Sequence, residues 1–126
     1  MRPTWRELVA VFAGGLLGTG ARLAIDTLVG QPISTLAINV AGSFALGLLV
    51  ARLWSSAAPW LRAGLGAGLL GSFTTFSAVA VTVVELGFSL TAAAYLALTL
   101  ALGLLAAWAG LRVGSRRAPE IDGATE

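Results

Sequence analysis

The residues best suited to chemistry in this chain are polar side chains within apolar stretches. The run Gly66–Val79 holds glycines, two threonines and two serines, inside a charge-free stretch from residue 63 to 84. Glycines and hydroxyls weaken a helix, and in hydrocarbon the freed backbone groups must be satisfied by protein, water or an ion. Broken membrane helices recur where ions or substrates are held. The sequence therefore predicts a membrane permeation protein whose working part lies near residues 71–77.

A second set of polar residues has helical spacing. Thr35, Asn39 and Ser43 are four apart and share one helix face. Asn39 has two N–H donors and an acceptor oxygen, so it either bonds helices together or lines a pathway for an anion. The row of three favours the lined pathway. Tyr95 and Thr99 form a similar pair, for which the alternative is a tyrosine anchored at the membrane surface.

Two further pairs have both a structural and a functional interpretation. Arg22 and Asp26 are four apart. They form an i,i+4 ion pair near the membrane surface, or Arg22 attracts anions at a pore mouth, and the two roles are compatible. Phe73 and Phe76 either contact core and lipid or turn their positive ring edges toward an anion.

Composition places the chain in a membrane. It is 57% hydrophobic and 11% charged, and residues 27–51, 63–84 and 86–111 contain no charge. Each run exceeds the roughly 20 residues that span a bilayer core. A fourth apolar segment, about 8–29, contains Arg22 and Asp26. It has the length of a signal peptide but continues through Arg22 without a clean cleavage site, so we interpret it as a retained first helix.

The fold class expected from these segments is an all-α membrane protein with one four-helix transmembrane domain over residues 1–126. Helices are predicted at about 7–29, 34–54, 62–87 and 90–112, the third broken near mid-membrane. A polar tail at 114–126 is expected to be disordered. With four spans, seven of the eight arginines fall on the side that holds both termini, which places that side in the cytoplasm.

The missing residue types exclude several functions. The chain has no cysteine and no histidine, which excludes disulfides, the usual zinc sites and Cys or His catalysis. No nucleophile–base pair is evident, so we expect no enzyme.

These motifs resemble the Fluc family of bacterial fluoride channels. The matching segments are Gly14–Arg22, Thr35–Phe44 with Gly47, and Gly68–Ser77, which contains Gly-x-x-Thr-Thr-Phe-Ser. Length and the four-helix layout agree as well. The resemblance implies passive exit of fluoride through the bacterial plasma membrane, in contact with lipid, by two subunits in antiparallel orientation.

The resemblance also assigns roles to residues. Asn39 is implied to lie along the fluoride pathway, and Phe76 to be the first of two phenylalanines whose ring edges face fluoride. The backbone carbonyls of Gly71 and Thr74 are implied to hold a structural sodium ion between subunits. With the candidates from spacing, the predicted fluoride pathway comprises Arg22, Asn39, Ser43, Thr75, Phe76, Ser77, Tyr95 and Thr99.

One position departs from the family pattern. The run normally continues to a second phenylalanine, where this chain has Val79. The loss of that ring, together with the one-sided arginines, motivates the hypothesis of a heterodimer with an oppositely oriented paralogue. The main alternative function is a small proton-coupled multidrug exporter, which needs an embedded glutamate in the first helix, whereas Glu7 lies at the edge of that span. A membrane assembly factor would explain the glycines but not the polar rows.

Overall fold

The computed structural model describes residues 2–116, and these residues form an all-helical chain. Helices α1 (Trp5–Val29), α2 (Ile33–Leu53) and α4 (Leu90–Ser115) are continuous, whereas α3 (Pro59–Glu85) is interrupted. Each of the four is long and apolar enough to cross a membrane. Because α4 continues to Ser115, the start of the predicted polar tail is helical. The rest of that tail, residues 117–126, lies outside the described residues.

The helices begin and end at residues that satisfy their free backbone groups. Thr4 caps α1: its Oγ1 accepts from the Glu7 N–H at 3.3 Å, and Glu7 Oε2 accepts from the Thr4 N–H at 2.6 Å. Glu7, the glutamate nearest the first span, therefore serves as a capping residue. Gly30 ends α1 with a positive φ of 80°, and the Ser89 hydroxyl caps α4 by accepting from the Ala92 N–H.

Helix α3 changes geometry along its length. It starts with one α-helical turn at Pro59–Arg62, continues as a π-helix over Ala63–Leu70, and returns to α-helix for Gly71–Phe73. Residues 74–76 are not helical, and α-helix resumes over Ser77–Glu85. π-Helical segments are rare in proteins, and those that occur often lie at functional sites. The interruption lies near the middle of the span, which confirms a bend in the third helix.

Glycines bring the helices into close pairs. A Cβ on Gly14 or Gly18 of α1 would overlap backbone atoms of Gly64 or Leu69 in α3. In the second pair, a Cβ on Gly110 of α4 would overlap the carbonyl oxygen of Phe44 in α2. Small residues at such crossings let membrane helices approach at backbone distance. Helix α1 therefore packs on the first half of α3, and α2 packs on α4.

The apolar side chains face outward to an unusual degree. Phe12, Leu28 and Leu104 are each at least 70% exposed, whereas the fully buried large side chains are few and include Ile38 and Val79. Water does not favour such a surface, but lipid does. The fold is therefore that of a membrane protein.

Candidate ion pathway

Asn39 of α2 binds the backbone of α3 at its interruption. Its Nδ2 donates to the Thr75 carbonyl at 2.8 Å, and its Oδ1 accepts from the Thr75 N–H at 2.8 Å. Both backbone polar groups of Thr75 are thus satisfied by a single side chain from another helix. An amide side chain has two N–H donors, so one remains for another partner. The spacing of Asn39 predicted a polar face but not this contact.

Hydroxyl groups satisfy the other backbone groups around the interruption. Thr75 Oγ1 accepts from the Ala78 N–H at 3.3 Å and lies 3.0 Å from Ser77 Oγ. Thr74 Oγ1 donates to the Leu70 carbonyl at 3.0 Å. Serine and threonine compete with helical hydrogen bonds in this way. The hydroxyl-rich sequence is therefore compatible with a helix that ends and restarts within the span.

Gly42 lets α2 approach the interruption closely. A Cβ at this position would overlap Thr74 Cγ2 and lie 3.3 Å from Phe73 Cδ1. Gly42 lies three residues after Asn39 and so on nearly the same helix face. Close contact at Gly42 thus brings the Asn39 amide within hydrogen-bonding reach of Thr75.

A groove of about 410 Å³ runs along the interruption between α2, α3 and α4. It brings together most of the residues that the sequence singled out: Asn39, Ser43, Gly71, Thr74, Thr75, Phe76, Thr99 and also Val79. Apolar side chains, including Leu46 and Leu100, complete the lining. The groove therefore combines an apolar wall with a few amide and hydroxyl groups.

A smaller cavity of about 270 Å³ lies beside the groove and shares Thr75 with it. Its lining includes Arg22, Asp26 and Ser77. Oδ1 of Asp26 is buried and has no hydrogen-bond partner among residues 2–116, so the ion pair suggested by the spacing is not made through this oxygen. Of the three pathway candidates absent from the groove lining, two, Arg22 and Ser77, therefore lie together at an adjoining cavity.

Several buried hydroxyls have no partner within the described chain. Thr35 Oγ1, Thr99 Oγ1 and the Tyr95 hydroxyl each lack a hydrogen bond, although Thr35 is 1% and Thr99 is 6% exposed. Tyr95 is not part of the groove lining. Ser34 Oγ is likewise buried and unpaired, and the sequence analysis did not select it. Its position next to Thr35 was the only available signal.

The two phenylalanine-related positions differ sharply in exposure. Phe76 is 67% exposed, whereas Val79, at the position where a second ring was expected, is 1% exposed. Both line the groove. Within a single chain, therefore, the ring of Phe76 is uncovered on much of its surface and the side chain of Val79 is enclosed.

The chain matches known proteins over most of its length. The family model described as CrcB-like protein, Camphor Resistance (CrcB), matches residues 9–111. The chain belongs to the CrcB family. This match spans α1 through most of α4 and so includes both cavities.

Curated relatives carry a consistent name. "Fluoride-specific ion channel FluC" of Paracoccus denitrificans is 42% identical, covering 82% of this chain and 90% of the relative. "Fluoride-specific ion channel FluC 1" of Mycobacterium bovis is 41% identical over 81% of this chain and 85% of its own length. "Fluoride-specific ion channel FluC 2" of Geobacillus kaustophilus is 39% identical, with coverages of 81% and 88%. The resemblance to the fluoride channel family is confirmed.

Proposed function

We propose that this chain is a subunit of a fluoride channel that lets fluoride leave the cytoplasm passively. The observation that carries the proposal is the groove at the α3 interruption, where amide and hydroxyl donors meet an aromatic ring in an apolar wall. Relatives of the chain are named as fluoride-specific ion channels. Neither the family nor these names support the multidrug exporter, and Glu7, as the capping residue of α1, is not placed to couple protons.

The proposed path for fluoride follows the groove past Asn39, Ser43, Thr75, Phe76 and Thr99. Fixed N–H and O–H donors replace water around a small anion, and the edge of an aromatic ring carries partial positive charge. The Thr99 hydroxyl, which has no hydrogen bond to any described residue, supports this role, since a buried hydroxyl without a partner is costly unless a ligand or water binds it. The path continues to Ser77 and Arg22 in the adjoining cavity, and Tyr95 lies on the same helix as Thr99.

A sodium ion bound by the Gly71 and Thr74 carbonyls is the second part of the proposal. In a continuous helix, the Gly71 carbonyl accepts from residue 75 and the Thr74 carbonyl from residue 78. Here the Thr75 N–H donates to Asn39 and the Ala78 N–H donates to Thr75 Oγ1. Both carbonyls thus lose their usual helical partner, and carbonyl oxygens suit a hard cation. The residues present fit the ion, which would compensate these carbonyl oxygens at membrane depth.

An antiparallel dimer is the third part. Gly71, Phe76 and Ser77 are exposed in the single chain although they lie within a span. Lipid cannot satisfy polar backbone at this depth, so we propose that a second subunit covers this face. We further propose that both termini lie in the cytoplasm of a bacterium and the protein in its plasma membrane, which the one-sided arginines support.

The partner is proposed to be an oppositely oriented paralogue. A homodimer of antiparallel subunits needs a sequence that inserts both ways, which seven cytoplasmic-side arginines oppose. Val79 supports the same proposal, since a partner chain with phenylalanine at this position would supply the missing ring. A topology reporter at the C-terminus tests it. We expect a single orientation, with the C-terminus in the cytoplasm. An even mixture of the two orientations would contradict the heterodimer.

Growth of a fluoride-sensitive bacterium tests the function in cells. Expression of this chain, with and without its paralogue, is expected to restore growth in fluoride at acidic external pH, because hydrogen fluoride then enters and dissociates inside. The control is resistance to cationic drugs, which a multidrug exporter would confer. Drug resistance without fluoride resistance would reverse the assignment.

A further inference from the structure

We propose that Asn39 is a positioning residue that creates the cation site by removing a hydrogen bond from α3. This inference rests on the proposed function, since it concerns the carbonyl of Gly71 as a cation ligand. The spacing of Asn39 suggested a direct contact with the anion. Its observed partners in the described chain, however, are both backbone groups of Thr75.

The first hydrogen bond that departs from the helical pattern is that of the Thr75 N–H. In an α-helix the N–H of residue 75 donates to the carbonyl of residue 71. That N–H instead donates to Asn39 Oδ1 at 2.8 Å. A side chain inserted into the helical ladder in this way bends the helix and leaves a carbonyl free. The carbonyl left without its helical partner is that of Gly71, which is exposed and borders the groove.

One turn later, a second backbone N–H also donates to a side chain instead of to its helical carbonyl. The Ala78 N–H, whose helical partner is the Thr74 carbonyl, donates to Thr75 Oγ1 at 3.3 Å. Thr74 itself is extended, with φ −77° and ψ 152°, so its carbonyl leaves the helix direction. Asn39 holds the Thr75 backbone by two hydrogen bonds. The Thr75 hydroxyl in turn accepts the hydrogen bond of the Ala78 N–H. The two carbonyls implied as cation ligands are therefore those that lose their partners to these two side chains.

The amide side chain of Asn39 is better suited than a carboxylate or a hydroxyl to bind both backbone groups of Thr75. One side chain must accept an N–H and donate to the C=O of the same residue. An ionised carboxylate has no donor, and a hydroxyl would have to make both contacts through a single oxygen, whereas an amide has a separate donor and acceptor. Asparagine meets both needs and retains one N–H for the groove. Its Oδ1 accepts the Thr75 N–H that would otherwise donate to the Gly71 carbonyl. Its Nδ2 donates to the Thr75 carbonyl at 2.8 Å.

Two substitutions at position 39 separate positioning from anion contact. Asn39→Leu keeps the approximate volume but removes both hydrogen bonds. Asn39→Asp keeps an acceptor for the Thr75 N–H while it loses the donor and adds a negative charge. We expect Asn39→Asp to lower fluoride flux but retain sodium-dependent thermal stability, whereas Asn39→Leu loses both. A residue that only contacted fluoride would leave the sodium response unchanged in either variant.

Amide hydrogen exchange supplies a readout independent of transport. In buffer with neither fluoride nor sodium, loss of a buried hydrogen bond is expected to speed exchange at Thr75 by roughly tenfold in Asn39→Leu. Exchange in Asn39→Asp should stay near the parent. The matched control is Thr75→Val, which removes the hydroxyl only: it should speed exchange at Ala78 and leave residue 75 protected.

The outcomes distinguish this inference from the proposed function. Unchanged protection at Thr75 in Asn39→Leu would overturn the positioning role even if the parent conducts fluoride. A parent that conducts no fluoride would overturn the function while the exchange data still decide the role of Asn39. If Asn39→Leu does not assemble, Asn39→Ala takes its place, since it also removes both hydrogen bonds to Thr75. Faster exchange at residue 75 in Asn39→Ala than in Asn39→Asp supports the inference, and equal protection in the two variants contradicts it.

Discussion

The contact between Gly42 and Thr74 yields a quantitative prediction. A Cβ at position 42 would overlap the Thr74 methyl and press on Phe73 Cδ1 at 3.3 Å. Overpacking of this kind costs about 1–3 kcal/mol, while replacing glycine by alanine within a helix gains about 1 kcal/mol. Gly15→Ala is the matched control, because its Cβ meets only Ser72 Oγ at an ordinary 3.6 Å. The stability difference between the two variants isolates the overlap.

Thermal unfolding in detergent, followed by tryptophan fluorescence, measures this difference. One kcal/mol shifts the midpoint by about 4 °C for a chain of this size, so Gly42→Ala should melt about 4–12 °C below Gly15→Ala. Adding Thr74→Ser removes the methyl but keeps the hydroxyl that donates to Leu70. It should recover much of the loss, the remainder being the contact with Phe73. Equal midpoints for the two alanine variants, or no recovery with Thr74→Ser, would refute the described packing of α2 against the interruption.

Three further predictions concern the groove. Phe76→Ile should abolish most fluoride flux yet leave the helix content by circular dichroism unchanged, because a side chain 67% exposed contributes little to this chain's core; normal flux would remove Phe76 from the pathway. Val79→Phe should lower the melting temperature of the chain, since replacing valine by a bulky ring at a 1% exposed site costs about 1–3 kcal/mol by overpacking; an unchanged melting temperature would show that the site has room for a ring. Replacing sodium by N-methylglucamine should destabilise the dimer, and Thr74→Ser should retain the sodium response because the carbonyl is the proposed ligand; loss of that response would indicate a side-chain ligand.

The architecture was accessible from sequence because it depends on composition. Charge-free runs longer than a bilayer core predict spans, and prolines and glycines mark the turns between them. The clustering of glycines and hydroxyls in Gly66–Val79 predicted an interruption in the third span, and the structure confirms a bend there. The structure also identified a π-helix at Ala63–Leu70. The sequence analysis did not predict this π-helix, which packs closely against the glycines of α1.

The site was less accessible, because its contacts join residues far apart in the chain. Spacing placed Asn39 on a polar face but carried no information about its partner, which lies 36 residues away. The role of Gly42 depends on the position of Thr74 and on no helix signal of its own. The spacing of Arg22 and Asp26 suggested an ion pair, yet Asp26 Oδ1 is buried with no hydrogen-bond partner in the described part of the chain. Tertiary packing, rather than propensity, decides each of these cases.

Ion efflux from liposomes tests the central claim most directly. Purified protein, alone and with its paralogue, is reconstituted into vesicles loaded with equal fluoride and chloride, and electrodes record both ions after valinomycin releases the membrane potential. The proposed pathway predicts rapid fluoride efflux, with chloride efflux near that of protein-free vesicles. The reason is that hydrogen-bond donors held in fixed positions suit the smaller anion. Comparable efflux of both anions, or no fluoride efflux with either preparation, would contradict the account.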